Sequence, residues 1–224
     1  YDTFEQWTIP EDRVLPMRAA MEAGGVKLSA FCPDEFVLND ERAHDRYEAA
    51  MLRALSRARV LNCPALITQV GQATDFPRPA QHDAIVKGLR RMAPHLEKAN
   101  VTLLVEPLND VKDHPGYYLT SSEEGFEIIR AVQSPRVKLL FDIYHQVHMG
   151  EDVLSQIRGN IPLIGHFHIA GHPNRDAELF AGFDYRPVLE MIRDSGTQAP
   201  VGLELFSGSV QRSMALLEAL KAYR

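Results

Sequence analysis

The sequence predicts an α/β chain folded as a (β/α)8 barrel that is one strand short, a single domain over residues 1–224. Three observations predict it. Short apolar runs alternate with helical stretches along all 224 residues. The runs are rich in Val, Leu, Ile and Phe without clean polar alternation, as suits parallel strands covered on both faces. No run leads into a Gly-x-Gly-x-x-Gly turn or a Walker-type loop, which favours a barrel over an open doubly wound sheet. Seven runs are found where a closed barrel has eight, and a typical barrel takes roughly 250 residues.

In order, the strand candidates are residues 3–7, 26–31, 65–70, 101–106, 137–141, 163–169 and 201–206. Between the second and third, Tyr47, Met51, Leu55, Ala58 and Leu61 recur every three or four residues, one buried helical stripe. Ile85, Leu89, Met92 and Leu96 form another after the third. Before the fifth, Ser121 and Glu124 have the spacing of a reciprocal capping box. Late in the chain, Pro187 suits a first helical turn and Gly196 a left-handed helix end. The strict alternation with short connections implies right-handed βαβ units.

Composition excludes several classes. Apolar residues are 45% and charged residues 24%, ordinary for a globular protein and unlike a disordered or membrane chain. Twenty-four Lys and Arg against 30 Asp and Glu leave a net charge of −6, which argues against a nucleic-acid partner. Cys32 and Cys63 suit neither a disulfide framework nor a zinc knuckle, so a reducing compartment, the cytoplasm, is expected. The chain opens without Met and without a signal-like leader.

The chemistry lies where apolar strands stop. Glu106 ends Val101-Thr-Leu-Leu-Val, Asp142 ends Leu139-Leu-Phe, His166 and His168 end the sixth run, and Glu204 ends Val201-Gly-Leu. In a barrel these C-terminal ends meet at one mouth. Three carboxylates there would repel one another unless a cation sat among them. Three oxygen donors with one imidazole favour Mg²⁺ or Mn²⁺ over zinc. Strand parity puts Glu204 on the face of Gly202, with Leu203 and Leu205 facing the helices. His166 and His168 share a face, so with His168 at the ion His166 lies one layer below, as a supporting group. His145, three residues after Asp142, is expected just above the rim. His44, His82 and His95, on helices, are expected to be solvated or capping. Trp7 is a candidate cover for the site; Phe36 reads as a packing residue.

Taken together, Val105-Glu-Pro-Leu-Asn109, Asp113-His-Pro-Gly-Tyr-Tyr-Leu119, Phe141-Asp-Ile-Tyr-His-Gln146, Gly165-His-Phe-His-Ile-Ala170 and Gly202-Leu-Glu204 resemble the hydroxypyruvate isomerase family of xylose-isomerase-like TIM barrels. The resemblance spans nearly the whole chain, with residues 1–7 matching the family's second strand, and so implies a TIM barrel that lacks its first βα unit and carries strands two to eight. It implies that Glu106, Asp142, His168 and Glu204 hold the divalent ion and that Glu106 and Glu204 are the acid/base pair. It also implies that His145 touches substrate oxygens, that Arg175 is a candidate for binding a substrate carboxylate, and that the protein is a homo-oligomer. The implied reaction converts hydroxypyruvate to tartronate semialdehyde through a cis-enediolate. Alternatives are a ketose 3-epimerase, a 2-oxo-tetronate-type isomerase, or a non-catalytic sugar-binding barrel. Many relatives follow the arginine with His-Glu-Pro; here Asp176-Ala177-Glu178 follows, which leaves the metal chemistry intact and the substrate open.

Overall fold

The computed structural model describes residues 2–223; Tyr1, the first residue of the matched opening segment, lies outside them. Seven parallel strands form one sheet in sequential order: β1 (Thr3–Gln6), β2 (Lys27–Phe31), β3 (Ala65–Thr68), β4 (Thr102–Val105), β5 (Val137–Asp142), β6 (Ile164–Ile169) and β7 (Val201–Leu203). Six fall within a predicted run, trimmed at one or both ends, and β5 runs one residue past its own, to Asp142. The trimming follows from chemistry: at the C-terminal ends of β4 and β7, Glu106 and Glu204 leave the ladder to line the mouth. The connecting helices are α1 (Val14–Gly24), α2 (His44–Leu61), α3 (Arg78–Ala99), α4 (Ser122–Val132), α5 (Ile143–His148), α6 (Val153–Asn160), α7 (Arg186–Asp194) and α8 (Val210–Ala219). Among the described residues no helix is long and apolar enough to cross a membrane.

Parity sorts each strand into two layers. Leu103 and Val105 of β4, Leu139 and Phe141 of β5, and Phe167 and Ile169 of β6 face the helices in the main core. The alternate residues Ala30, Ile67, Leu104 and Leu140 face inward as a small second core, with Cys32 and Phe36 packed there too. Glu106, Asp142 and His168 continue that inward parity one step further, so the strands themselves carry them to the mouth. Phe36 is thus a packing residue, as read from sequence.

The helical stripes are as expected: Tyr47, Met51, Leu55, Ala58 and Leu61 of α2 are all buried, as are Ile85, Leu89, Met92 and Leu96 of α3. Pro187 sits in the first turn of α7, and Gly196 has φ +70° just past its end. Two expectations need correction. Ser121 does cap α4, but it accepts from the Glu123 N–H, and Glu124 turns away to accept from the Tyr118 hydroxyl at 2.8 Å and to pair with Arg78. A nearby guanidinium and phenol outcompete the backbone N–H that a capping box offers. His44 is buried, with Nε2 3.0 Å from the Leu38 carbonyl, and it packs where Gly88 of α3 leaves room. His82 and His95 are partly exposed beside Glu124 and Glu48.

Candidate metal centre and active site

Four adjacent strand ends build the centre. Glu106 follows β4, held by its own N–H donating to the Thr68 carbonyl at 3.0 Å and by the Tyr117 hydroxyl donating to its carbonyl at 3.0 Å. Asp142 ends β5 and caps α5, accepting from the His145 N–H at 3.2 Å, which fixes its carboxylate at the helix start. His168 lies on β6. Glu204 follows β7, its N–H donating to the Ile169 carbonyl at 3.2 Å. One ligand atom from each of Glu106, Asp142, His168 and Glu204 lies within 4.8 Å of the others. All four predicted ligands are therefore brought together.

The donor set fits a divalent ion on the structure's own evidence. His168 Nδ1 stands 3.3 Å from Glu204 Oε2 and 3.6 Å from Glu106 Oε1. Among the described residues, neither His168 Nδ1 nor Glu106 Oε1, both buried, has a hydrogen-bond partner. Buried polar atoms left unpaired cost of order 1–3 kcal/mol each, and an ion among them removes that cost. The electrostatics match. Burial, with the charge of Glu204 beside it, pushes the Asp142 carboxyl up to about 6. Burial also pushes Glu106 upward. Burial acts the same way on Glu204, but His168 and Arg175 outweigh it and hold that carboxyl at about 2.

His145 is not at the rim. It is fully buried, because Asp142 caps α5 and turns the first helical residues inward. Its Nδ1 accepts from the Asn109 backbone N–H at 3.2 Å and faces the Asn109 side-chain amide at 2.7 Å. Burial, with Arg175 nearby, lowers its pKa to about 4, so the ring is neutral and its proton sits on Nε2. Among the described residues that nitrogen has no hydrogen-bond partner, and it lies 3.5 Å from Asp142 Oδ2. A donor at the edge of the ligand cluster is left free for another oxygen.

Arg175 is also at the site. Its Nη2 donates to Glu204 Oε2 at 2.5 Å and its Nε to the Glu204 carbonyl at 3.2 Å. The loop that presents it is tight: Gly171 N–H donates to the Asp176 carbonyl at 2.8 Å, and Arg175 N–H to the Gly171 carbonyl at 2.7 Å. A Cβ at Gly171 would lie 2.7 Å from the Asp176 carbonyl oxygen. Gly171→Ala is therefore expected to displace Arg175 from Glu204 and so to raise the Glu204 carboxyl pKa, with a melting curve that stays cooperative; a pH titration of the carboxyls beside a thermal melt checks it.

A cavity of about 700 Å³ opens between β1 and β7, with Glu106, His168 and Glu204 in its wall. Trp7 lines it but is 56% exposed, so it does not seal the centre. One residue of the site escaped the sequence reading: Glu5, on β1, whose carboxylate reaches His166 and His168. A carboxylate inside the first strand candidate, between Phe4 and Gln6, was the available signal.

Fold and site together define a β/α-barrel protein with a candidate divalent-cation centre at the C-terminal mouth of its sheet. The chain belongs to the xylose isomerase-like TIM barrel family, which it matches over residues 1–224. It is 30% identical over 167 residues to hydroxypyruvate isomerase of Escherichia coli (strain K12), covering 74% of this chain and 62% of that protein. It is 28% identical over 166 residues to a putative hydroxypyruvate isomerase of Xenopus laevis, covering 71% of this chain and 60% of that one. The chain thus spans about three fifths of the length of these relatives. In three dimensions it is similar to a protein from Brucella melitensis described as AP endonuclease, family 2, with a TM-score of 0.89 and 23% identity, covering all of this chain and 89% of that one.

Proposed function

We propose that this chain is a divalent-metal-dependent isomerase of a small keto acid, converting hydroxypyruvate to tartronate semialdehyde with Mg²⁺ or Mn²⁺. The observation that carries the reading is the convergence of Glu106, Asp142, His168 and Glu204, two of whose buried ligand atoms have no hydrogen-bond partner. Relatives bearing the name hydroxypyruvate isomerase support the substrate. Bound there, the ion supplies Lewis-acid stabilisation of negative charge that develops on a substrate oxygen.

The protein side chains do the rest. Glu204, kept ionised by His168 and Arg175, is the base that takes a proton from C3 of the substrate. Glu106, as a carboxylate, takes the C3 hydroxyl proton of the resulting cis-enediolate and delivers a proton to C2, while Glu204 returns its proton to the C2 oxygen, so both side chains end ionised as they began. His145, neutral with its proton on Nε2, donates to a substrate oxygen. Arg175 spends two of its five N–H donors on Glu204 and offers the others to the substrate carboxylate. The same reading makes the protein a cytoplasmic homo-oligomer.

The test is turnover of hydroxypyruvate, four-carbon keto acids and free ketoses with each ion, followed in D₂O. Metal-dependent formation of tartronate semialdehyde with deuterium at C2 is expected. Inversion of a ketose carbon with no aldehyde formed would replace the isomerase by an epimerase. No turnover of any of them would leave a sugar-binding barrel.

A further inference from the structure

Glu5 makes the contact in this site that the proposed reaction leaves unused. It comes from β1, at the edge of the sheet opposite β7, yet its carboxylate lies against β6. Oε1 is 2.8 Å from His166 Nε2 and Oε2 is 2.6 Å from His168 Nε2. The two rings are two residues apart on the inward face of β6, with centroids 5.0 Å apart and planes at 86°, so each presents one nitrogen to a different oxygen. Room for this contact comes from β7. A Cβ at Gly202 would stand 2.5 Å from Glu5 Oε1, 2.8 Å from His168 Cδ2 and 3.0 Å from His166 Nε2. Only glycine fits below Glu204.

The consequence is a choice of tautomer. A carboxylate accepts and cannot donate, so the nitrogens facing Glu5 carry the protons. An imidazole with its proton on Nε2 has its lone pair on Nδ1, and His168 Nδ1 is the partnerless atom that faces Glu106 and Glu204. A ring held the other way would point an N–H at the ion. We infer that Glu5 is a positioning residue for the metal centre: it fixes His168 in the tautomer that can ligate, while His166 holds the second oxygen and sets the angle of the carboxylate. This rests on reading Glu106, Asp142, His168 and Glu204 as the ion site. Carboxylate partners of this kind orient ligating imidazoles and affect affinity by about 10- to 100-fold.

Calorimetric titration of the ion-free wild-type chain and of Glu5→Leu with Mn²⁺ tests it, beside ¹H–¹⁵N spectra of the histidine rings in the ion-free proteins at a pH alkaline enough to leave His168 neutral. The expected results are one ion per chain in both, a dissociation constant about 10- to 100-fold weaker in Glu5→Leu, and loss of the uniform Nε2–H signal of His168. Glu5→Gln, which keeps one accepting oxygen, should fall between them and carries the comparison should the leucine variant not fold. Unchanged affinity overturns the inference, as does an Nε2–H signal that survives without Glu5. Two ions bound by wild type and one by Glu5→Leu would make Glu5 and His166 ligands of a second ion instead. Failure of wild type to bind any ion would overturn the metal reading itself, a different result from equal binding by both chains.

Discussion

Glu204→Gln and Glu106→Gln are each expected to lower kcat by about 10²- to 10⁴-fold at saturating Mn²⁺, the range usual for loss of a positioned acid or base. Glutamine is nearly isosteric and keeps one accepting oxygen, so the shape of the site survives while the proton carrier is lost. The two variants separate on stability. Glu204 is paired with Arg175, itself 17% exposed, and losing that charge leaves the guanidinium short of its anion. Glu106 is buried beside Asp142 and Glu204, and its carboxyl is pushed up by that burial. A group whose folded pKa lies above its unfolded value opposes folding once the pH passes the unfolded value. Ion-free Glu106→Gln should therefore be at least as stable as the ion-free wild type at neutral pH, and Glu204→Gln less stable. Steady-state kinetics and thermal melts with and without Mn²⁺ read both effects. A loss of less than tenfold in kcat for either variant would remove that residue from the proton-transfer pair.

The four ligands were legible because each is a charge or imidazole that ends an apolar strand, and strand parity carries them to the inner face. Gly202 foretold the inward turn of Glu204 by the same rule, although the contact that requires glycine there is with Glu5. Glu5 itself was hidden. Its partners His166 and His168 are 161 and 163 residues away, and only the curvature that brings β1 back towards β6 joins them. Local spacing also misplaced His145. Three residues beyond Asp142 suggests the rim for a continuing strand, but the aspartate caps a helix and the chain folds under Asn109. His44 and Glu124 deviate for a related reason. A helix position predicts which face a side chain leaves from, whereas its partner, the Leu38 carbonyl or the Arg78 and Tyr118 side chains, comes from another element.

Removing divalent ions is expected to lower the thermal midpoint by about 5–10 °C from its value with ion at 100 times the dissociation constant. Binding at that ratio contributes about 2.7 kcal/mol, and each kcal/mol moves a chain of this size by roughly 2–4 °C. The effect should fade in acid, and the sign follows from the ligands. Asp142, held at about 6, must be a carboxylate to bind the ion, and so must Glu106, which is also shifted upward. His168 opposes binding in the same direction. Burial disfavours its charged form, but the neighbouring carboxylates Glu106, Glu204 and Glu5 outweigh that and raise its pKa well above the usual value, so the ion must displace a proton that Nδ1 otherwise holds. Glu204, already ionised, contributes nothing to the pH dependence above about 2. Protons and ion thus compete for the same atoms. Between about pH 7 and pH 5 the ionised fraction of Asp142 alone falls about tenfold, so the dissociation constant should weaken by at least that factor. Titrations in buffers of different ionisation enthalpy should show protons released on binding near neutral pH. A pH-independent affinity with no proton release would place the ion on ligands other than these four.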